Sequence, residues 1–179
     1  VDAMIAGVSS RIDISKRIYE LKAHDLDLPY LQYHERNVEI GELAKEYPYE
    51  ESVDLVYQAL DDLDPEFGNI FAHFVKNGRI DAFPRKGKRG GAFCSYDRLP
   101  NPVYTLLNHT HKLTDVMTLA HETGHGINDE IMRQEQNELN FGTPTSTAEV
   151  ASTFMEDFVL QHLLKDANEE ERFAGMLTK

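Results

Sequence analysis

His121-Glu122-Thr123-Gly124-His125 is an H-E-x-x-H pattern, and the residues around it decide what holds it. Val116, Leu119, Ala120, Ile127 and Ile131 recur at the spacing of one helical face. The pattern is therefore expected inside an amphipathic helix that starts near Thr114. Thr114 offers a cap, and Asp115 suits the positive end of the helix dipole. Residues four apart share a helix face, so both imidazoles can reach one metal ion. Glu122, one position past the first histidine, is directed beside that ion. Zinc accepts two histidines and a carboxylate, keeps a fourth place for water, and lowers that water's pKa. A carboxylate alongside can take the proton. The competing reading is a chance pattern with two solvated histidines.

A third ligand must come from another element. Ile131 stands six residues after His125, so the further histidine of the metzincin pattern does not follow. Glu149 lies 149 − 125 = 24 residues beyond His125. That gap suits a helix end, the break Asn140-Phe141-Gly142-Thr143-Pro144, and the first turn of a returning helix. The alternative is local: Ser146-Thr147-Ala148-Glu149 has the form of a capping box, with Glu149 folded back on the backbone. Glu156 shares a face with Glu149 and is a candidate to orient a ligand imidazole, or a plain surface charge. Asp129, one turn past His125, carries the same two readings. The last helix is expected to begin near Thr145 and to bury Val150, Phe154, Phe158 and Leu163.

Upstream, residues 79–109 are rich in Gly, Pro and β-formers. Strands are expected around Ala92–Tyr96 and Val103–Leu107. Gly90, Gly91 and Ala92 are candidates for close approach of a peptide backbone to an edge strand, against the simpler reading of a bend. Asn77-Gly78 is a turn, and before it the pattern is helical. Ile5, Val8, Ile12, Ile18 and Leu21 outline a helix from residue 2 to about 24, ended by Leu26-Asp27-Leu28-Pro29. Val53, Val56, Tyr57, Leu60 and Leu63 outline a second. Asp64-Pro65 starts a third, carrying Phe67, Ile70, Phe71, Phe74 and Val75. The fold class is thus mainly α with a small β-sheet. Two parts are expected, a helical one over 1–76 and a metal-site one over 77–179, as pieces of one domain.

Bulk properties narrow the function. Of 179 residues, 41% are hydrophobic and 27% charged, enough for a packed core. A formal net charge of −13 repels a phosphate backbone, so no nucleic-acid partner is expected. No apolar run nears the roughly 20 residues that span a bilayer, so no membrane partner is expected either. The single cysteine, Cys94, excludes a disulfide within the chain and suits a reducing, cytoplasmic compartment. No signal peptide and no initiator methionine open the chain, and its ends are expected to be arbitrary.

Other features point less sharply. Arg85-Lys86-Gly87-Lys88-Arg89 is expected to be a solvated basic loop rather than a nucleic-acid patch. His109 and His111 could share a strand face and bind metal, but structural histidines are the expectation. Cys94 is expected to be a small buried residue without a base to activate it.

Four stretches carry a resemblance: Pro84–Phe93, Leu106-Leu107-Asn108, Asp115–His125, and Ala148-Glu149-Val150-Ala151-Ser152-Thr153-Phe154. In order and approximate spacing they resemble the oligoendopeptidase F and thimet oligopeptidase family, from about Ile80 to Glu156. The resemblance implies that His121, His125 and Glu149 bind one zinc ion per chain and that Glu122 is the base. It favours Glu149 as ligand over the capping box. It implies a zincin-like catalytic core, a fragment of a larger helical peptidase, that hydrolyses short peptides at internal bonds. Members of that family are several times longer and supply a His- and Tyr-rich segment beyond the ligand helix. Nothing after Glu156 resembles it, so the fragment alone is expected to hold zinc and cleave poorly. The rivals are a zinc-stabilised, non-catalytic peptide-binding module and a carboxypeptidase or dipeptidase on the same scaffold. The sequence fixes no oligomeric state.

Overall fold

The computed structural model describes residues 1–36, 38, 45–95, 101–165, 167–169 and 172. Two compact units emerge: Val1–Ala44 with Glu170–Lys179, and Lys45–Glu169.

In the first unit the expected single helix is two. Helix α1 (Asp2–Ser9) and helix α2 (Ile12–Asp25) are separated at Ser10-Arg11. Ser10 Oγ donates to the Gly7 carbonyl at 2.7 Å, a local bond that competes with helix propagation. Arg11 then leaves helical geometry at φ −120°, ψ 14°. Met4, Ile5, Val8, Ile12, Ile18 and Leu21 stay exposed, while Ala23 is buried. The stop after α2 lies where the sequence puts it. Asp27 adopts a left-handed φ of 54°, and Leu28 N–H closes back on the Ala23 carbonyl at 2.8 Å before Pro29. A 3-10 turn spans Tyr33–Glu35.

The second unit holds α3 (Tyr49–Leu63), α4 (Pro65–Lys76), β1 (Ile80–Asp81), β2 (Phe93–Ser95), β3 (Tyr104–Leu106), α5 (Leu113–Glu135) and α6 (Thr145–Leu164). Asp64 caps α4 by accepting from Glu66 N–H at 2.9 Å, with Pro65 in the first helical position, as the dipeptide predicts. Val56, Leu60, Phe71, Leu107, Val116, Leu119, Ile127, Met155 and Val159 form one core among the four helices and β3. Burying such side chains stabilises by roughly 1.5–3 kcal/mol each.

The sheet has order β1-β3-β2. β2 runs antiparallel to β3, with Cys94 opposite Thr105. Tyr96, the expected end of this strand, lies outside the described residues. β1, which the sequence pattern did not suggest, pairs parallel to β3 with Ile80 opposite Thr105. Two residues are too few to show alternation; the strand exists because β3 supplies partners. Asp115 rather than Thr114 organises the start of α5. Its Oδ2 accepts from the N–H of Thr110 at 2.7 Å and of Lys112 at 3.0 Å, and Thr114 is already inside the helix.

The expected buried face of α6 is a correction. Val150, Phe154 and Phe158 are exposed by 64%, 47% and 37%, whereas Ser152, Met155, Val159 and Leu160 are buried. Leu163 is partly buried against the core. The helix turns its small residue toward α5, because the two backbones pass too closely for a phenylalanine between them. Among the described residues no helix is long and apolar enough to cross a membrane.

Candidate metal centre

α5 and α6 carry the centre between them. His121 and His125 lie four apart on α5, with ring centroids 5.0 Å apart and planes at 82°. α6 starts at Thr145, straight after Pro144. Ser146 is therefore already the second helical residue, and Glu149 sits one turn in rather than at the third position that a capping box requires. Its side chain turns to α5 instead. Glu149 Oε2 lies 3.3 Å from His121 Nε2 and 3.7 Å from His125 Nε2.

Among the described residues, His121, His125 and Glu149 form a group whose donor atoms all lie within 4.8 Å of one another. A tetrahedral zinc ion with bonds of ~2.0–2.1 Å separates its ligand atoms by about 3.4 Å. The two nitrogen–oxygen distances, 3.3 and 3.7 Å, are close to that value, and two imidazoles with a carboxylate fit the ion in chemistry. Glu156 Oε2 stands 3.0 Å from His121 Nδ1. A carboxylate there accepts the Nδ1–H, which leaves the Nε2 lone pair facing Glu149. His125 hydrogen-bonds the backbone of Ala148, and burial together with His121 lowers its pKa, favouring the neutral ring that a metal needs.

Glu122 follows His121 on the same helix. It is buried, and burial raises its pKa, with the Glu149 charge adding to the rise. His121 and a hydrogen bond from the Cys94 backbone oppose the shift. That bond links the base candidate to β2, and sequence reading did not find it.

The remaining candidates separate clearly. Asp129 is buried and its carboxyl is pushed up to about 7, chiefly by desolvation. Cys94 Sγ lies 3.9 Å from its Oδ2, so Asp129 is engaged with β2. Burial raises the Cys94 thiol as well, and the charges of Asp129 and Glu122 raise it further. It is a thiol held protonated, not an activated nucleophile. Gly90, Gly91 and Ala92 lead into β2, a sheet-edge strand beside α5. Asn108 Nδ2 fastens this stretch by donating to the carbonyls of Arg89 at 2.9 Å and Gly91 at 2.8 Å. Ser152, overlooked in the sequence, donates to Glu149 Oε2 at 2.9 Å. Its position three residues after Glu149 was the available signal.

Known proteins share the sequence pattern and the fold of this chain. The sequence model of peptidase family M3 matches residues 8–175. The chain is 30% identical over 176 residues to the chromosomal oligoendopeptidase F of Lactococcus lactis subsp. cremoris, covering 97% of this chain and 29% of that protein. It is 26% identical over 172 residues to oligopeptidase PepF of Bacillus subtilis (strain 168), covering 96% of this chain and 26% of that one. The chain thus spans under a third of the length of the curated relatives it matches. A crystal structure of a Chlamydophila abortus protein superposes with a TM-score of 0.74 at 28% identity, over 99% of this chain and 30% of that one. PZ peptidase A with an inhibitor shares the fold, with a TM-score of 0.70 at 18% identity over 90% of this chain and 28% of that one.

Proposed function

Because this chain belongs to peptidase family M3, we propose that it supplies the catalytic centre of a zinc-dependent endopeptidase that hydrolyses short peptides. The observation that carries the reading is the convergence within 4.8 Å of donor atoms from His121 and His125, on the helix that also carries Glu122, and from Glu149 on α6. When bound, zinc polarises the scissile carbonyl and lowers the pKa of water beside it. His121, His125 and Glu149 hold the ion, and Glu156 fixes the His121 ring so that Nε2 faces inward. Glu122 takes a proton from the attacking water on its carboxylate and returns it to the leaving amine. Burial favours that second state, since a protonated carboxyl is cheaper to hold away from solvent than a charged one.

The substrate backbone runs along the outer edge of β2, approached through Gly90, Gly91 and Ala92, which Asn108 holds in shape. A cytoplasmic location belongs to the same proposal and is suited by the single cysteine, Cys94, which allows no disulfide within the chain. The test is Glu122→Gln. Zinc content of this chain should stay near one equivalent, while turnover of a blocked, internally quenched peptide by the full-length enzyme falls by roughly 10²-fold or more. Near-normal turnover with zinc retained would remove Glu122 from the reaction. A zinc-loaded full-length protein that binds peptides without cutting them would return the reading to a binding module.

A further inference from the structure

The helix crossing that brings Glu149 to the histidines has an identifiable contact point. A Cβ placed on Gly124 would lie 2.7 Å from Ser152 Cα, 2.8 Å from the Ala151 carbonyl oxygen and 3.1 Å from Ser152 N. All three are backbone atoms, so no change of rotamer on α6 could make room. Gly124 is where α5 accepts the backbone of α6, and Ser152 is the residue seated there, fully buried.

Its hydroxyl has little choice of partner. Ser152 Oγ lies 2.9 Å from Glu149 Oε2 and 3.1 Å from the Glu149 carbonyl. Oε2 is also the oxygen that faces both imidazoles, at 3.3 and 3.7 Å. A carboxylate oxygen has two acceptor sites, so one can take the serine proton while the other faces a cation. Glu149 has three side-chain torsions, and its side chain is 47% exposed. Freed from the serine it would gain rotamers pointing to water, and ordering it again would cost binding energy.

We propose that Ser152 is a positioning residue for zinc binding. Seated by Gly124 at the closest approach of α5 and α6, it holds Glu149 Oε2 on the metal side. The inference rests on the zinc-site reading above. It concerns a residue that touches neither substrate nor metal and acts through Glu149.

The experiment measures zinc affinity of the whole 179-residue chain by competition with a chromophoric chelator. Cobalt substitution reports ligand geometry, and the metal-free thermal midpoint reports folding. Wild type, Ser152→Ala, Glu149→Ala and the double variant form a cycle. Ser152→Ala should weaken zinc by about 10–100-fold, the usual effect of losing a hydrogen bond to a ligand. In the Glu149→Ala background, where two imidazoles leave only weak binding that is read by direct titration with excess zinc, the same change should alter affinity by less than about twofold, because the group it acts through is gone. The cobalt spectrum should change in Ser152→Ala while the metal-free midpoint stays close to wild type. Equal losses in both backgrounds would make Ser152 a general packing residue and overturn the proposal. Unchanged affinity in Ser152→Ala, with wild type binding normally, would overturn it while leaving the metal centre intact. A wild-type chain that takes up no zinc would remove the centre and this inference together.

Discussion

Two pairs of histidines lie in the same unit and differ in what their ring nitrogens are left to do. On α5, His121 spends Nδ1 on Glu156 and turns Nε2 toward Glu149, and His125 turns Nε2 to the same oxygen. At the end of β3 the arrangement is opposite. His109 is 2% exposed; its Nδ1 accepts from His111 N–H at 3.2 Å, and its Nε2 lies 3.0 Å from Ser52 Oγ. A backbone N–H can only donate, so His109 is the Nε2–H tautomer. It donates to Ser52 Oγ, which in turn reaches the Pro48 carbonyl at 3.0 Å. Tyr49 packs edge-on against the same ring, with centroids 5.6 Å apart. One pair keeps two lone pairs facing one point beside a carboxylate. The other has spent both nitrogens of its buried member, Nε2 on the start of α3 and Nδ1 on the His111 backbone. Histidine content does not make a metal site; unspent, convergent nitrogens do.

The sharpest way to break this contrast is to delete one histidine from each pair. His125→Ala should reduce bound zinc from about one equivalent to near zero, since two protein ligands rarely suffice for a tetrahedral site. Elemental analysis after dialysis measures this. His109→Ala should leave the zinc content unchanged. Its cost is stability, about 2–4 kcal/mol, from a cavity plus unpaired Ser52 and His111 groups. Denaturant titration of the metal-free chain reads it. Zinc loss in His109→Ala without destabilisation would erase the distinction.

A smaller effect is tied to pH. Burial lowers the pKa of His109 from 6.5, and the His111 ring adds to the lowering, against the opposing charges of Asp115 and Glu50. The unfolded chain therefore binds its proton at higher pH than the folded one. Stability contributed by the neutral ring is complete above 6.5 and is lost as pH falls from there toward the folded value. Wild type should lose stability across that window, and His109→Ala should lose less. His125 shifts in the same direction, so the difference between the two proteins, not the wild-type curve alone, isolates His109. Smallest of all is His111→Asn. His111 sits at a left-handed φ of 69°, a region Asn tolerates as well as His does. Its backbone makes the bonds that matter, to His109 and Tyr47, so stability should move by less than about 1 kcal/mol. A larger loss would show that the imidazole of His111 matters too.

The convergence of His121, His125 and Glu149 is more legible in the sequence than the surfaces around it, for a physical reason. Helical periodicity alone puts His121 and His125 on one face, while Glu149 stays open between a ligand and a capping box until the family resemblance favours the first. Phe154 and Phe158 were expected inside because large apolar residues usually are. Yet the closest helix contact uses Gly124 and Ser152, where small size matters more than hydrophobicity. The break at Ser10 depends on one side-chain bond within a strong helical pattern. β1 is visible only once β3 is beside it.

The basic loop before β2 shows a related gap between letters and charge. Arg85-Lys86-Gly87-Lys88-Arg89 has four cations in five residues. Arg85 bonds Asp81 Oδ1 at 2.6 Å, and Lys88 bonds the same oxygen at 3.1 Å. Lys88 also holds the carbonyls of Asp81 and Phe83 at 2.9 and 2.8 Å, with its side chain only 1% exposed. Those two bonds hold the Asp81 carboxyl down at about 2, so it stays charged throughout the physiological range. Counterions condense around charge that solvent can reach. A passing polyanion would release them at Arg85, Lys86 and Arg89, and would have to dismantle the fastening of the loop to engage Lys88. The stretch that reads as the most cationic in the chain carries 4 − 1 = 3 positive charges once Asp81 is counted, and one of its four cations is beyond the reach of salt and phosphate.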